Sequence, residues 1–552
     1  MGDGVGTDGA EAGSGEQATG GGRGLSRRHF LLGLGGLATL GVGGVAGYEW
    51  PHGTSRPVAR LGGRAAAAPL ARTAAAGSAL PSEVVAFVSR PDLRPPLVRV
   101  AHSHARLSPA GTRLAAPASP EYIFLAVKGY RGPVPSQAGL LVVDRRGQVV
   151  WFKPVSPAEP FDFNVQSYRG ERVLTWWQGT VDKGVGYGQG KLADSSYGLV
   201  RTIGGHDGLV PDLHELNLTS SGTALVTAYH TVDADLSRYG GHSRAPVLAS
   251  HALEIDLATG KVLMNWDSLE HVGFGESYAP APKAKGAPWD YFHINSIAEM
   301  PNGNLLISAR NTWALYEVER TTGKVLWRVN GKKSDFTMAS DAHFYWQHHA
   351  RPHPGNRLTV FDDGGTPAEE RQSRGLLLNL DTKARHVSLE HAYLHPAGFL
   401  AANQGSVQLL ADGRVFIGWG NQPYFSEFSA DGTMLLDGEL PPNVQSYRAF
   451  THDWAGHPIE PPAVVARTNP AGGATVFASW NGATALDSWK VLAGASATSL
   501  QPVGSQERTA FETAVAVNSE GPYFRAVALD AHGRELGRSP VVKLTGATPK
   551  GA

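Results

Sequence analysis

One phrase returns along most of this 552-residue chain: a short apolar strand, a polar turn with Gly, and a second strand running back. Four copies align on the turn: "RGERVLTWWQG" (169–179), "SGTALVTAYH" (221–230), "NGNLLISARN" (302–311) and "DGRVFIGWGN" (412–421). A fifth, "GNRLTVFDDG" (355–364), places Asn356 in the turn. Between them a second phrase ends in or near Trp: "VVDRRGQVVWF" (142–152), "EIDLATGKVLMNW" (254–266) and "EVERTTGKVLWRV" (317–329), with "FSADGTMLLDG" (428–438) as a weaker copy. Each pair of phrases supplies about four short strands, and apolar–polar alternation favours strands over helices. A recurring four-stranded unit is the pattern of a β-propeller, here with five or six blades. With 68 Gly, 36 Pro, 13 Trp and 16 Tyr, the composition suits a turn-rich all-β chain.

The repeats run from about residue 87 to 458. The tail, 461–546, carries shorter alternating strands, an early Trp480 and a late Tyr523. It reads as a small β-sandwich of fibronectin type III character, with Tyr523 in the tyrosine-corner place. At the other end, "LSRRHFLL" sets Arg27 and Arg28 before an uncharged, Gly-rich run to Tyr48. Residues 1–50 therefore read as a twin-arginine export signal, with a membrane anchor as the competing reading. An Ala/Pro/Gly-rich linker, 51–86, follows. The expected location is extracellular or in the cell envelope, either released or tethered through the N-terminal segment.

Several function classes fall away on composition. Lys plus Arg and Asp plus Glu are both 49, so no basic field calls for nucleic acid. There is no cysteine, hence no disulfide, thiolate nucleophile, thiolate-ligated metal or iron–sulfur cluster.

The histidines carry the chemistry. Counted back from the aligned turns, His214, His293 and His348 sit eight, ten and eight positions before Gly222, Gly303 and Asn356. Even offsets put all three on one kind of strand face, with His349 one out of phase. The place held by Trp177, Tyr229, Asp363 and Gly420 in other copies is Arg310 in "ISARN". Three imidazoles and a guanidinium converging on a channel would suit a tetrahedral oxyanion such as sulfate or phosphate. A His-only zinc site, joined by Asp362 or Asp363, is the metal alternative. The aromatic stretches "FYWQ" and "NTWALY" could be core, or could stack on an aryl group.

In order, "DLHELNLTSSGTALVTAY", "DYFHINSIAEMPNGNLLISARN", "FYWQHHARPHPGNRLTVFDDG" and "GSVQLLADGRVFIGWGNQPYFSEFSADG" resemble the arylsulfate sulfotransferases, in their actinobacterial and fungal branch; so does the opening "FVSRPDLRPP". The resemblance covers roughly residues 87–454. It implies a six-bladed, exported enzyme moving a sulfuryl group from a phenolic sulfate ester to a phenol, without a nucleotide donor, through a sulfated histidine. It makes His348 the nucleophile, with His349 one residue away as the competing choice. His214, His293 and Arg310 would bind the sulfuryl oxygens or protonate the leaving phenol, with Asn295, Asn311 and Tyr229 binding substrate. Neither cofactor nor metal is implied. The partners are a small aryl sulfate, a phenol and the twin-arginine export machinery. Two other readings compete: a non-catalytic exported binding or adhesion protein, and a quinone-cofactor dehydrogenase, for which no ordered calcium-ligand set is visible.

Overall fold

Each repeat folds as a tight antiparallel hairpin because its turn residues accept left-handed backbone. Gly303 has φ +85°, and Gly355 and Asn356 have φ +78° and +57°. Two consecutive positive φ values match the right-handed twist of the flanking strands, and Asn tolerates that region better than other side-chain-bearing residues. The computed structural model describes residues 83–102, 121–130 and 134–546. The expected export signal and most of the linker lie outside the described residues.

The hairpins extend into six antiparallel sheets in chain order. Sheet I holds Glu159–Tyr168, Glu171–Asp182, Val185–Ala193 and Leu199–Ile203. Sheet II holds Pro211–Leu218, Thr223–Ala234, Ala245–Asp256 and Val262–Asp267. Sheet III holds Ile294–Glu299, Leu305–Ala309, Ala314–Val318 and Val325–Val329. Sheet IV holds His348–His353, Arg357–Asp362, Arg374–Asp381 and His386–Leu394, with Thr337–Met338 added in parallel at its outer edge. Sheet V holds Ser406–Leu409, Val415–Gly418, Tyr424–Phe428 and Met434–Glu439, and gains Arg99–His102 from the start of the described chain. Sheet VI is made from both ends of the repeat region: Val444–Asp453 pairs with Glu121–Gly129, followed by Gly139–Asp144 and Val149–Pro154. The first-named strands touch in a closed cycle, I to II to III to IV to V to VI and back to I. Among the described residues the only α-helix is Ser268–His271, and no helix is long and apolar enough to cross a membrane.

Residues 463–543 form two further antiparallel sheets enclosing their own apolar core. The tryptophan that fills this core is Trp489, fully buried; Trp480 instead lies half-buried and donates to the Glu460 carbonyl. Tyr523 is half-buried, with the Lys543 ammonium 5.6 Å from its ring. The two parts are sewn together by specific bonds. Asn481 makes a reciprocal pair with the Phe152 backbone, and Glu512 accepts from the amides of Val88 and Ser89.

Charge, rather than apolar packing alone, ties the first-named strands together. Arg448, on the sheet VI strand, donates to Asp162 of sheet I at 2.8 Å and to Glu215 of sheet II at 3.0 Å. It also reaches the His214 and Asn295 carbonyls at 2.8 and 3.0 Å. Arg351 of sheet IV grips both oxygens of Glu215 at 2.8 Å. Arg448, Asp162 and Glu215 are all at most 2% exposed. Burial works against the Glu215 charge, but the Arg351 and Arg448 guanidinium groups hold its carboxyl below the usual range. Such a network stabilises little relative to an apolar replacement of the whole, but removing one partner strands the others. Arg448→Met is therefore expected to cost about 3–5 kcal/mol in chemical denaturation. A loss within the range of an ordinary surface substitution would contradict this role.

Candidate active site

The three in-register histidines share one hydrogen-bonding plan. The His214 Nδ1 lies 2.5 Å from Asp212 Oδ1, His293 Nδ1 pairs with Asp290 Oδ2, and His348 Nδ1 lies 2.7 Å from Asp363 Oδ2. Each carboxylate accepts a hydrogen bond from Nδ1–H, which leaves the lone pair on the opposite nitrogen, Nε2. At His348 the Gln404 amide N–H approaches Nε2 at 3.4 Å, consistent with a lone pair there.

The rings cluster. His214 and His293 meet edge to face with centroids 4.8 Å apart, and Tyr229 lies 6.1 and 6.3 Å from them. Tyr447 sits 6.0 Å from His214 and donates to its carbonyl. His348 is within electrostatic reach of Arg310, His293 and His214. Burial first, and then these neighbouring charges, hold its imidazole well below the ordinary range. Burial also lowers His293, with Asp290 opposing. Burial pushes the Asp363 carboxyl up, with Arg310 opposing. For Asp212, burial is outweighed by His214 and the Gly186 amide, and its carboxyl stays low.

Arg310 closes the group. It donates to Asn311 Oδ1 at 3.0 Å and to the Ala402 carbonyl at 3.2 Å, and its guanidinium stacks 4.7 Å over Trp346. Its Nε is buried without a partner, as are Asp290 Oδ1, Asp363 Oδ1 and Gln404 Oε1. Orphaned polar atoms are rare in a folded interior, and a concentration of them at one place marks a site built to receive a polar ligand. Half-buried Trp313 extends the aromatic wall, stacked on Tyr278 at 3.6 Å and edge-on to Trp346 at 5.1 Å.

The sequence-predicted residues separate into two groups. His214, His293, His348 and Arg310 come together. Tyr229, Asn295 and Asn311 lie beside them with their donors engaged, while Asn295 Oδ1 is buried without a partner. The Tyr229 hydroxyl donates to the Ile294 carbonyl at 2.8 Å, and the Asn295 amide donates to the Gln347 carbonyl at 2.6 Å. Asn311 bridges Arg310 to the Asp290 carbonyl. These bonds fix the backbone around the site. His349 has left-handed backbone, φ +50°, which turns its ring onto Phe450 and lets its Nδ1 accept from the Val407 amide at 3.3 Å. His353 is tied to Thr359. Asp362 is engaged by Arg374.

The strands do not run regularly from histidine to turn, as even offsets require. The ladder is broken between histidine and turn in all three strands, at Pro211–Leu216, Ile294–Ser296 and His348–Arg351. A bulge reverses the alternation. Each of the three segments is irregular next to its histidine, by different numbers of residues, so regular alternation does not set the directions of the rings.

Sequence reasoning missed the three aspartates as orienting groups. It had a signal for two of them, the short spacings "DLH" and "DYFH". It also missed Lys128, which lies outside the repeat phrases. Lys128 is buried, its ammonium 3.3 Å from the Phe161 ring centroid and without a hydrogen-bond partner. Phe161 packs on Tyr447, so this lysine stands one aromatic layer behind the histidines. Burial drops its pKa to about 7. The unfolded chain keeps that proton up to the ordinary lysine value of 10.5, so the penalty is full below pH 7 and fades as pH rises. Lys128→Met should raise the melting temperature at pH 6.5, with the gain shrinking toward pH 10. An equal gain at both pH values would contradict the buried-ammonium assignment.

Comparison with known proteins assigns the chain. The family described as Arylsulfotransferase (ASST) matches residues 164–440, half of the chain, and this span holds all three histidines, their aspartates and Arg310. No curated protein matches. Solved structures align at low similarity. One is a protein of unknown function from Bacteroides caccae, with 13% identity, 60% of this chain and 99% of that one covered, and a TM-score of 0.37. A protein from Lactobacillus plantarum has 12% identity, covers 71% of this chain and 98% of its own, and scores 0.34. Virginiamycin B lyase from Staphylococcus aureus has 9% identity, coverages of 66% and 90%, and a TM-score of 0.28. Likenesses at that level carry no inference, whereas the family match and the ordered set of site motifs agree: the chain belongs to the arylsulfotransferase family.

Proposed function

We propose that this protein transfers a sulfuryl group from a phenolic sulfate ester to a phenol, with His348 as the transient carrier. The observation that carries the reading is the set of three Asp-oriented imidazoles around one half-buried guanidinium whose Nε is buried without a partner, in a chain of this family. Supporting it, the closed cycle of strand contacts fits a six-bladed propeller, with the histidines on its central strands. The C-terminal pair of sheets fits a fibronectin III-like module, and the N-terminal sequence fits twin-arginine export to the envelope or beyond.

The chemistry follows from the hydrogen bonds. His348 Nδ1–H donates to Asp363, which leaves the lone pair on Nε2, met among the described residues only by the Gln404 amide at 3.4 Å, to attack sulfur. Arg310 faces the sulfuryl oxygens and offsets their charge as the S–O bond to the aryl oxygen breaks. The departing phenolate takes a proton from a neighbouring imidazolium. His214, hydrogen-bonded to an Asp212 carboxyl that stays low and packed against His293, is the ring assigned that role. Nε2 of His348 then carries the sulfuryl group. An incoming phenol returns its proton to His214, attacks sulfur, and restores the starting state. Trp313, Trp346 and Tyr278 offer flat surfaces for the aryl group.

The test is transfer from a chromogenic aryl sulfate to a phenol with no nucleotide present. Parallel double-reciprocal lines are expected, and His348→Ala should reduce transfer by at least three orders of magnitude, about 4 kcal/mol. Full activity in that variant would remove His348 from the role, and no transfer by the intact protein with any phenol tested would favour a binding function. Because His348 is held below the ordinary imidazole range, it stays neutral in mild acid. The acid limb of kcat/KM should therefore lie below pH 6.5, and a limb at or above that value would contradict the assignment.

A further inference from the structure

A second histidine cluster lies on sheet II, apart from the three Asp-oriented rings. His251 is opposite Asp267 on one neighbouring strand and opposite Ala228 on the other. His230 lies two residues beyond Ala228, so His230, His251 and Asp267 project from the same face of the sheet. Their ligand atoms all lie within 4.8 Å of one another, and this is the one such group of three among the described residues. The His230 Nδ1 and His251 Nε2 are 2.6 Å apart, and Asp267 Oδ2 is 3.8 Å from His251 Nε2.

Two of these side chains are already aimed. His251 donates its Nδ1 proton to Asn265 Oδ1 at 2.7 Å, which leaves the lone pair on Nε2. Asp267 uses Oδ1 to cap the short helix, accepting from the Leu269 amide at 2.8 Å. Its Oδ2 is left without a hydrogen bond among the described residues and faces the histidine pair. Metal-ligating side chains are held in this way, with the remote nitrogen or oxygen fixed by an outer bond and the near atom bare. A pair of imidazoles linked by a single proton has no need of the third, unbonded carboxylate oxygen.

We propose that His230, His251 and Asp267 form a binding site for a borderline divalent transition metal, with Zn²⁺ as the best match. Two imidazole nitrogens and one carboxylate oxygen, plus water, make a tetrahedral set that suits zinc and not the all-oxygen preference of calcium or magnesium. Bonds of about 2.0–2.1 Å to each nitrogen require the 2.6 Å contact to open by roughly 0.7 Å. Half-exposed His230 has room to turn, and its ring proton moves to Nε2 as Nδ1 becomes a ligand. The ion would staple three strands of sheet II. One of them carries Tyr229, whose ring lies against His214 and His293.

Titrating chelator-stripped full-length protein with Zn²⁺, with calorimetry and elemental analysis after gel filtration, tests this. One equivalent should be retained per chain, and the melting temperature should rise with zinc but not with Mg²⁺. Asp267→Asn, which keeps the capping oxygen, and His230→Gln should each weaken binding by at least about tenfold, while His348→Ala binds as the intact protein does. Three results would overturn the site: no retained zinc, retention unchanged in both sheet II variants, or loss of zinc in His348→Ala.

Discussion

Arg448 is the residue on which the arrangement of the site depends. Its guanidinium is buried among sheets I, II and III, and it binds two carboxylates and two backbone carbonyls. One of those carbonyls belongs to His214 and another to Asn295, which lies two residues from His293. The charge network and the histidines are therefore mechanically continuous. Glu215 extends it to sheet IV through Arg351, two residues beyond His349. A buried cation of this kind contributes geometry more than stability. Its many fixed donors allow one arrangement of strands and penalise the rest.

On that frame the site is assembled by departures from regular strand. His293 has φ +56°, and Trp346, two residues before His348, has φ +57°. Each costs conformational energy that surrounding contacts must hold in place, and such positions concentrate where function needs a side chain aimed off the ladder. The bulges act to the same end, turning histidines from three strands toward a common point. Asp212, Asp290 and Asp363 then settle which nitrogen of each ring faces inward. Surroundings then distinguish the rings: burial, and after it the neighbouring cations, hold His348 well below the ordinary imidazole range, while the Asp212 carboxyl beside His214 stays low.

Much of this was legible in the chain. Gly and Asn at fixed places in apolar hairpins pointed to repeated four-stranded units, and six are present. The four residues of the site were found from alignment of those hairpins and from motif resemblance, and His349 was separated from His348. Other features were not legible, for physical reasons. His348 and Asp363 are 15 residues apart, one on a strand and the other just past the end of its partner strand, so their bond depends on register, which a bulge shifts. Arg448, Glu215 and Asp162 meet only when sheets I, II and VI are brought together, and no local pattern announces that. Asn295, Asn311 and Tyr229 lie beside the three histidines. Their donors bond backbone carbonyls, which sequence cannot show. In the C-terminal sheets Trp480 and Trp489 have similar local contexts, and only packing decides that Trp489 is the core residue.

The account stands or falls on a covalent intermediate at His348. Intact protein mixed with an aryl sulfate donor and no acceptor, quenched at alkaline pH to preserve the N–S bond, and digested for mass spectrometry, reads it directly. A single sulfuryl addition on the peptide bearing His348 and His349, with fragmentation placing it on His348 and its disappearance on adding a phenol, is the predicted result. Sulfuryl on His349, or donor turnover with no modified histidine, would contradict it.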